Sequence, residues 1–336
     1  DRAVLVARQW ARLEGALALP PQARAGTLML YGADGSARPL ALQEVVRAWR
    51  PNAMTFPEKL SLYFSRIGAF ISEPPREANT EGGIFPALFG TVLMVMLMTV
   101  VVTPIGVVAA LYLHEYAPQG PLTQVLRIAV NNLAGVPSIV YGVFGLGFFV
   151  YLVGGSLDRA FFADSLPAPT FGTPGLLWAS LTLALLTLPV MIVATEEGLS
   201  RIPRQLREAS LALGATRFET LRHIILPQAL PAVLTGVILA VARGAGEVAP
   251  LMLVGVVKLA PELPLDGTFP YLHLDRQFMH LGFHIYDLAF QSPNVEAARP
   301  LVYASALLLV IMIVLLNLGA VLLRAYLRGR HRDPLG

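Results

Sequence analysis

The 336 residues are 55% hydrophobic and 14% charged, with a net charge of +3; roughly a quarter of an average soluble domain is charged, so this composition excludes an ordinary soluble protein. No cysteine is present, which excludes disulfides, zinc ribbons, iron–sulfur clusters and thiol nucleophiles together. The two lysines, Lys59 and Lys258, follow Glu58 and Val257 rather than glycine, so the chain does not bind ATP through a Walker motif.

Residues 1–55 read as an extramembrane extension of mixed α/β character, the tail of a larger domain, because they offer too little apolar surface for an independent core. Val4–Leu19 has helical periodicity, Thr27–Tyr31 suits a strand, and Asp34-Gly35 is a turn pair able to close a hairpin. Leu42–Trp49 reads as a short helix stopped by Pro51. Within 56–80, Leu60, Tyr63, Phe64, Ile67 and Ile71 recur at three- and four-residue spacing, the pattern of an amphipathic helix in a membrane interface or against neighbouring spans. Because the first residue is Asp1 rather than methionine, an earlier segment with a further span or a signal is expected.

About 20 apolar residues in a helix fill a bilayer's hydrocarbon core. Gly82–Leu113, Ile128–Leu157, Ser165–Thr195 and Pro300–Leu323 contain no Asp, Glu, Lys or Arg, and Ile224–Val257 is broken only by Arg243 and Glu247. The chain is therefore expected to be an all-α polytopic membrane protein with five visible spans. Pro104, Pro137, Pro189 and Pro250 lie in or near these runs. A proline frees a carbonyl one turn back, so such helices must pack where neighbours or water satisfy it. Gly142 and Gly145, with Gly147, Gly154 and Gly155, form a small-residue face for helix packing.

Between spans, one side carries Arg127, Arg201, Arg204, Arg207, Arg217, Arg222, Arg324, Arg328, Arg330 and Arg332, and the other only Arg159, Lys258, Arg276 and Arg299. Cytoplasmic loops are enriched in Lys and Arg. The C-terminus, including the tail 328–336, is therefore expected in the cytoplasm and residues 1–80 outside, in the periplasm.

Two segments carry chemistry. The loop 196–227 on the Arg-rich side contains Arg207-Glu208-Ala209-Ser210-Leu211-Ala212-Leu213-Gly214-Ala215 and ends Ile224-Ile225-Leu226-Pro227. It reads as two short helices turning at Gly214, ended by Pro227 and suited to dock a partner or simply to connect two spans. Arg243 and Glu247 place charge in an apolar run, at a cost of at least about 2.5 kcal/mol each, so they are paired or functional. Spacing of four puts them on one helical face, either as a structural salt bridge or with Arg243 facing a pathway and offering its planar fork to an anion. His280, His284 and Asp287, and Asp158-Arg159 with Asp164, fall in outer loops and read as contact surface. No Ser-His-Asp or metal-hydrolase constellation emerges.

Glu208-Ala209-Ser210, then Gly214, then Ile224-Ile225-Leu226-Pro227 resembles the EAA loop of ABC importer membrane subunits, with Ser210 at the usual third alanine. Asn131-Asn132-Leu133-Ala134-Gly135-Val136-Pro137-Ser138-Ile139-Val140-Tyr141-Gly142-Val143-Phe144-Gly145 resembles the signature of phosphate-specific permeases. Ala242-Arg243-Gly244-Ala245-Gly246-Glu247-Val248-Ala249-Pro250 is similar to their charged span. The resemblance covers about 77–327 and is to the PstA-type subunit in its long form. It implies a type I ABC importer permease fold over 81–327, in a bacterial inner membrane. It also implies a heterodimer with a PstC-like permease, two copies of a PstB-like ATPase holding ATP and magnesium, and phosphate delivered by a periplasmic binding protein. No cofactor is expected in this chain, and no nucleic acid partner. Glu208, Ala209 and Gly214 would couple to the ATPase, with Glu208 as polar contact and Gly214 as the turn. An importer for sulfate or molybdate, and a passive anion channel selecting through Arg243, are the alternatives.

Overall fold

The computed structural model describes residues 13, 17–23, 25–31, 37–43, 45, 47–76, 79, 81–118, 120–165, 167–292 and 295–330. The chain divides into two compact units, 1–67 and 68–336. In the first, β1 (Thr27–Tyr31) and β2 (Ala37–Ala41) pair antiparallel with Thr27 opposite Ala41. This is the expected hairpin; its Asp34-Gly35 turn, like most of Val4–Leu19, lies outside the described residues. The expected Leu42–Trp49 helix does not form among the described residues. Leu42 N–H returns to the Gly26 carbonyl at 3.0 Å and Val45 N–H closes one turn at 3.3 Å. So short a segment does not offset helix nucleation, and Pro51 keeps Arg50 out of the helical region at φ −114°. Helix α1 (Phe56–Ser72) follows, with no buried residue. Its first turn is capped where Thr55 N–H donates to Glu58 at 2.7 Å.

The second unit holds five helices long and apolar enough to cross a membrane. They are α2 (Phe85–Tyr116), then, after the short α3 (Pro121–Leu133), α4 (Ser138–Phe161) and α5 (Leu176–Ser200). The short α6 (Arg204–Ala212) leads into α7 (Arg217–Gly246). A short helix, α8 (Leu281–Phe290), precedes the last long helix, α9 (Val295–Arg330), whose span is Ala298–Tyr326. In α5 67% of the most apolar stretch is buried inside the protein, against 6% in α9, which makes α5 the central helix and α9 the peripheral one. Met94, Met98, Leu183, Leu186, Met191 and Phe278 are among the large, fully buried side chains of the shared core. The apolar face of α9, including Leu307, Val310, Val314 and Leu318, stays exposed, as a lipid-facing or partner-facing helix would.

Three expected spans need correcting at their ends. Ile128–Leu157 is split, since Pro137 excludes the helical region for Val136 and α3 ends at Leu133 before α4 begins at Ser138. Ser165–Thr195 becomes helical only at Leu176, because Gly172, Pro174 and Gly175 hold the approach in loop form. Ile224–Val257 breaks at Glu247, whose backbone is extended (φ −80°, ψ 130°), and a single turn, Leu251–Val254, follows Pro250. Conversely, Pro227 does not end the cytoplasm-expected loop. The helix runs through it, widened over Leu221–Ile225 to i→i+5 bonding, which relieves the clash a proline makes with the carbonyl one turn back. Pro104 and Pro189 lie inside α2 and α5, whereas Pro137 and Pro250 stand at helix starts.

The segment 255–280 seals one end of the bundle. The first amides of a helix have no partner within it, and here Leu176 and Leu177 N–H donate to the Arg276 and Leu274 carbonyls, each at 2.9 Å. Gly255, at φ +155°, crosses Gly175 so closely that a Cβ would lie 2.6 Å from its carbonyl oxygen. Only glycine fits both demands.

Candidate functional site

At the end of the bundle opposite that seal, α6 and the start of α7 form the expected pair of short helices. Gly214 has φ +88°. Its N–H donates to the Leu211 carbonyl at 3.0 Å and Ala215 N–H to the Ser210 carbonyl at 3.2 Å, the two bonds of a Schellman ending that satisfy the last carbonyls of α6. Thr216 and Glu219 form a capping box that starts α7. Across the turn the buried hydroxyls of Ser210 and Thr220 meet at 2.8 Å, so the serine standing at the usual alanine acts as a clasp between the two helices. Glu208 and Ala209 are exposed. Leu213 is 89% exposed and Phe218 62%, an apolar tip that none of the described residues covers.

The loop is anchored by a residue whose role the sequence did not disclose. Arg207 donates to Glu115 at 2.7 Å and to the Leu199 and Ile202 carbonyls at 3.2 and 3.3 Å. One guanidinium thus ties α6 to the ends of α2 and α5. Arg127 of α3 is held at the same end, 3.5 Å from Glu196.

The two signature segments come together inside the bundle. A Cβ on Gly142 would sit 2.7 Å from the Pro250 Cα, and one on Gly145 would collide with Thr182. Small residues there let α4 approach α5 and the Pro250 turn. Tyr141 is buried and its hydroxyl donates to the Leu133 carbonyl at 2.6 Å, locking α4 to the end of α3. The close approach of Gly142 to Pro250 brings the two signature segments side by side.

Arg243 and Glu247 do pair, Nε to Oε1 at 3.5 Å, but not along one helical face, since α7 stops at Gly246. Arg243 stands in the last turn, where the helix dipole favours a cation. Its side chain is 33% and that of Glu247 21% exposed. The two terminal guanidinium nitrogens have no hydrogen-bond acceptor among the described residues. Beside them, a Cβ on Gly244 would press to 2.7 Å on the Met98 sulfur, whereas one on Gly246 would meet nothing within 4 Å. Gly244 therefore serves helix contact, and Gly246 borders open space.

Of the residues expected as contact surface, His280, His284, Asp287 and Asp158 are interior, whereas Arg159 and Asp164 are exposed. His280 and Asp287 are fully buried and His284 is 3% exposed. Lys258 lies 3.0 Å from Asp287, and Asn79 donates to Asp287 and to the Lys258 carbonyl at 3.3 and 3.1 Å. Burial pushes His280 down to about 3 and His284 to about 4, because desolvation disfavours the charged imidazole. The His280 Nδ1 accepts the Gly282 N–H at 3.1 Å, which also requires it unprotonated. Asp158 is buried too, accepting from Phe171 and Gly172 N–H at 2.8 and 2.6 Å. The two acids fasten loops to helix ends and His280 caps its own helix; hydropathy registers them only as polar residues outside a span.

Residues 102–333 match the family of binding-protein-dependent transport system inner membrane components. The chain is 31% identical over 259 residues to a probable ABC transporter permease protein, YqgI, of Bacillus subtilis, covering 75% of this chain and 81% of that one. It is 34% identical over 255 residues to the phosphate transport system permease protein PstA 1 of Mycobacterium tuberculosis, covering 76% and 73%. In fold it resembles a bacterial ABC transporter involved in import of the acidic polysaccharide alginate, at TM-score 0.51 and 12% identity, over 82% of this chain and 85% of that one. The five-span bundle has the type I ABC importer permease fold, and the chain belongs to the family of binding-protein-dependent transport system inner membrane components as an ABC importer permease subunit.

Proposed function

We propose that the protein is the PstA-type membrane subunit of an ATP-driven phosphate importer. The observation that carries the substrate is Arg243: a guanidinium whose Nε faces Glu247 at 3.5 Å, with no acceptor for its two terminal nitrogens among the described residues and open space at Gly246. Two free N–H groups in a plane match two oxygens of a phosphate. Glu247 lowers the local potential so that the anion leaves as readily as it enters. The likeness to PstA proteins supports the same reading.

Phosphate arrives from a periplasmic binding protein at the sealed end. A PstC-like permease completes the pathway, and two PstB-like ATPases supply energy, one seating the Gly214 turn with Glu208 and Ala209 at its surface. The chain lies in a bacterial inner membrane with the Gly214 turn and the C-terminus in the cytoplasm and residues 1–80 in the periplasm; 56–80 lies in the membrane interface. A cysteine placed at the 87%-exposed Phe269 is expected to react with an impermeant reagent from outside, and one at Gln124 only after permeabilisation; the reverse pattern contradicts this orientation.

Competition tests the substrate. Uptake of labelled phosphate by the assembled complex is expected to be displaced by unlabelled phosphate and not by sulfate or molybdate at the same concentration. Equal displacement by sulfate or molybdate replaces phosphate with a general oxyanion.

A further inference from the structure

A groove of ≈ 330 Å³ opens at the Gly214 end between the last turn of α5, the first half of α7 and the end of α9. Arg201 and Gln228 line its foot, Thr235 stands two turns, about 10 Å, higher on α7 and is met by Arg324, and Ala194, Ala232 and Leu239 add apolar wall. Arg324 Nη1 donates to the Thr235 hydroxyl at 3.0 Å, and that hydroxyl donates in turn to the Pro231 carbonyl at 2.8 Å. The chain thus fixes the direction of the Arg324 fork without neutralising it. Arg127, Arg207 and Arg243 each pair with a carboxylate. Arg201 and Arg324 have none within 4 Å among the described residues. Two guanidinium groups that have no carboxylate within 4 Å among the described residues, brought from different helices to one cavity, give it a potential that favours an anion.

We propose that this groove binds a phosphate group, held by Arg201 and Arg324 with Gln228 as a further donor, at a place separate from the Arg243 pathway. A planar fork from each side can engage two oxygens of one phosphate. The shape of the groove ranks the sources of that group. The Arg324 fork is held at Thr235, and Leu239 stands four residues, about 6 Å, beyond it on the same helix. With Ala194 and Ala232 it makes an apolar lip against which the start of an acyl chain can lie while the arginines meet the headgroup of an anionic phospholipid. Glu197 also lines the foot; its carboxylate favours the single charge of a phosphodiester over the double charge of free phosphate.

The test uses the complete permease–ATPase complex, purified and placed in nanodiscs of phosphatidylcholine with or without phosphatidylglycerol. After exchange into detergent, native mass spectrometry is expected to find phosphatidylglycerol retained on the wild-type complex. Retention should fall by about tenfold or more in Arg201→Gln/Arg324→Gln, the loss of charge-assisted hydrogen bonds. Gln228→Glu leaves the Arg324–Thr235 bond in place but puts a carboxylate in the foot; it should lose the lipid as well, which covers the case in which the double variant fails to assemble. Binding of labelled inorganic phosphate to the phosphatidylcholine nanodisc, lost in the same variants, would assign the group to free phosphate instead and keep the site. Equal retention of phosphatidylglycerol by wild type and both variants, or no binding of either anion by wild type, overturns the proposal.

Discussion

Gly214→Val is expected to uncouple the transporter while leaving the bundle folded. A Cβ at this position would meet nothing within 4 Å, so no packing is lost. The cost lies in the backbone: φ is +88°, and an L-residue there loses about 1–2 kcal/mol, more when β-branched. The chain escapes by abandoning the turn, which releases the bonds from Gly214 and Ala215 N–H to the Leu211 and Ser210 carbonyls. Leu213 and Phe218 then no longer project as one tip. Co-purification of the ATPase should drop by about tenfold, the equivalent of that energy, and ATP-driven uptake should be lost with it. Gly214→Asn should recover part of both, because asparagine tolerates the left-handed region better than other side chains. Normal assembly and uptake by the valine variant contradicts the coupling role.

The second large effect is expected on exchanging the charges of the pathway pair, Arg243→Glu with Glu247→Arg. A salt bridge that only stabilised the bundle would survive the exchange, since the partners, 3.5 Å apart, would merely trade signs. The geometry makes the positions unequal. Arg243 sits in the last turn of α7 and Glu247 on extended backbone beyond it. The exchange therefore brings a carboxylate to the negative end of a helix dipole, costing about 0.3–1 kcal/mol, and removes the free guanidinium nitrogens from the space beside Gly246. A carboxylate and a phosphate about 4 Å apart repel by about 4 kcal/mol at an effective dielectric of 20, enough to slow flux about a thousandfold. The exchanged protein should assemble, keep basal ATPase activity and fail in uptake. Arg243→Lys should keep part of the flux, its charge remaining while the fork is lost. Near-normal uptake by the exchanged protein leaves the pair as a structural bridge.

The five spans were legible because hydrophobic runs of this length have one physical solution in a bilayer. Their ends were not. Apolar loops such as 167–175 and the Pro250 turn have the hydropathy of the helices they join, and only the backbone restrictions of Pro137, Pro174 and Gly255 separate them. The Gly214 turn was legible because a left-handed residue demands glycine, and Gly255 carried the same signal unread in an apolar context. Arg243 and Glu247 stood out against their apolar neighbours, yet their pairing geometry depends on α7 stopping at Gly246, which a spacing of four cannot reveal. The Arg207–Glu115 tie joins residues 92 positions apart, and Asn79 reaches 208 positions to Asp287. Such pairings exist only in the folded bundle. The groove between Arg201 and Arg324 is likewise a product of packing: in the sequence both are merely basic residues at the ends of spans.

The central claim is that this chain carries phosphate through a pump rather than a pore. Accumulation of labelled phosphate in proteoliposomes holding the complete complex, with the binding protein on one side and ATP on the other, tests it most directly. The internal concentration is expected to rise above the external one only when both ATP and the phosphate-loaded binding protein are present, and to stay at the leak level when either is withheld. Phosphate that equilibrates across the membrane without ATP, and never exceeds the external concentration with it, contradicts the account and makes the Arg243 passage a channel.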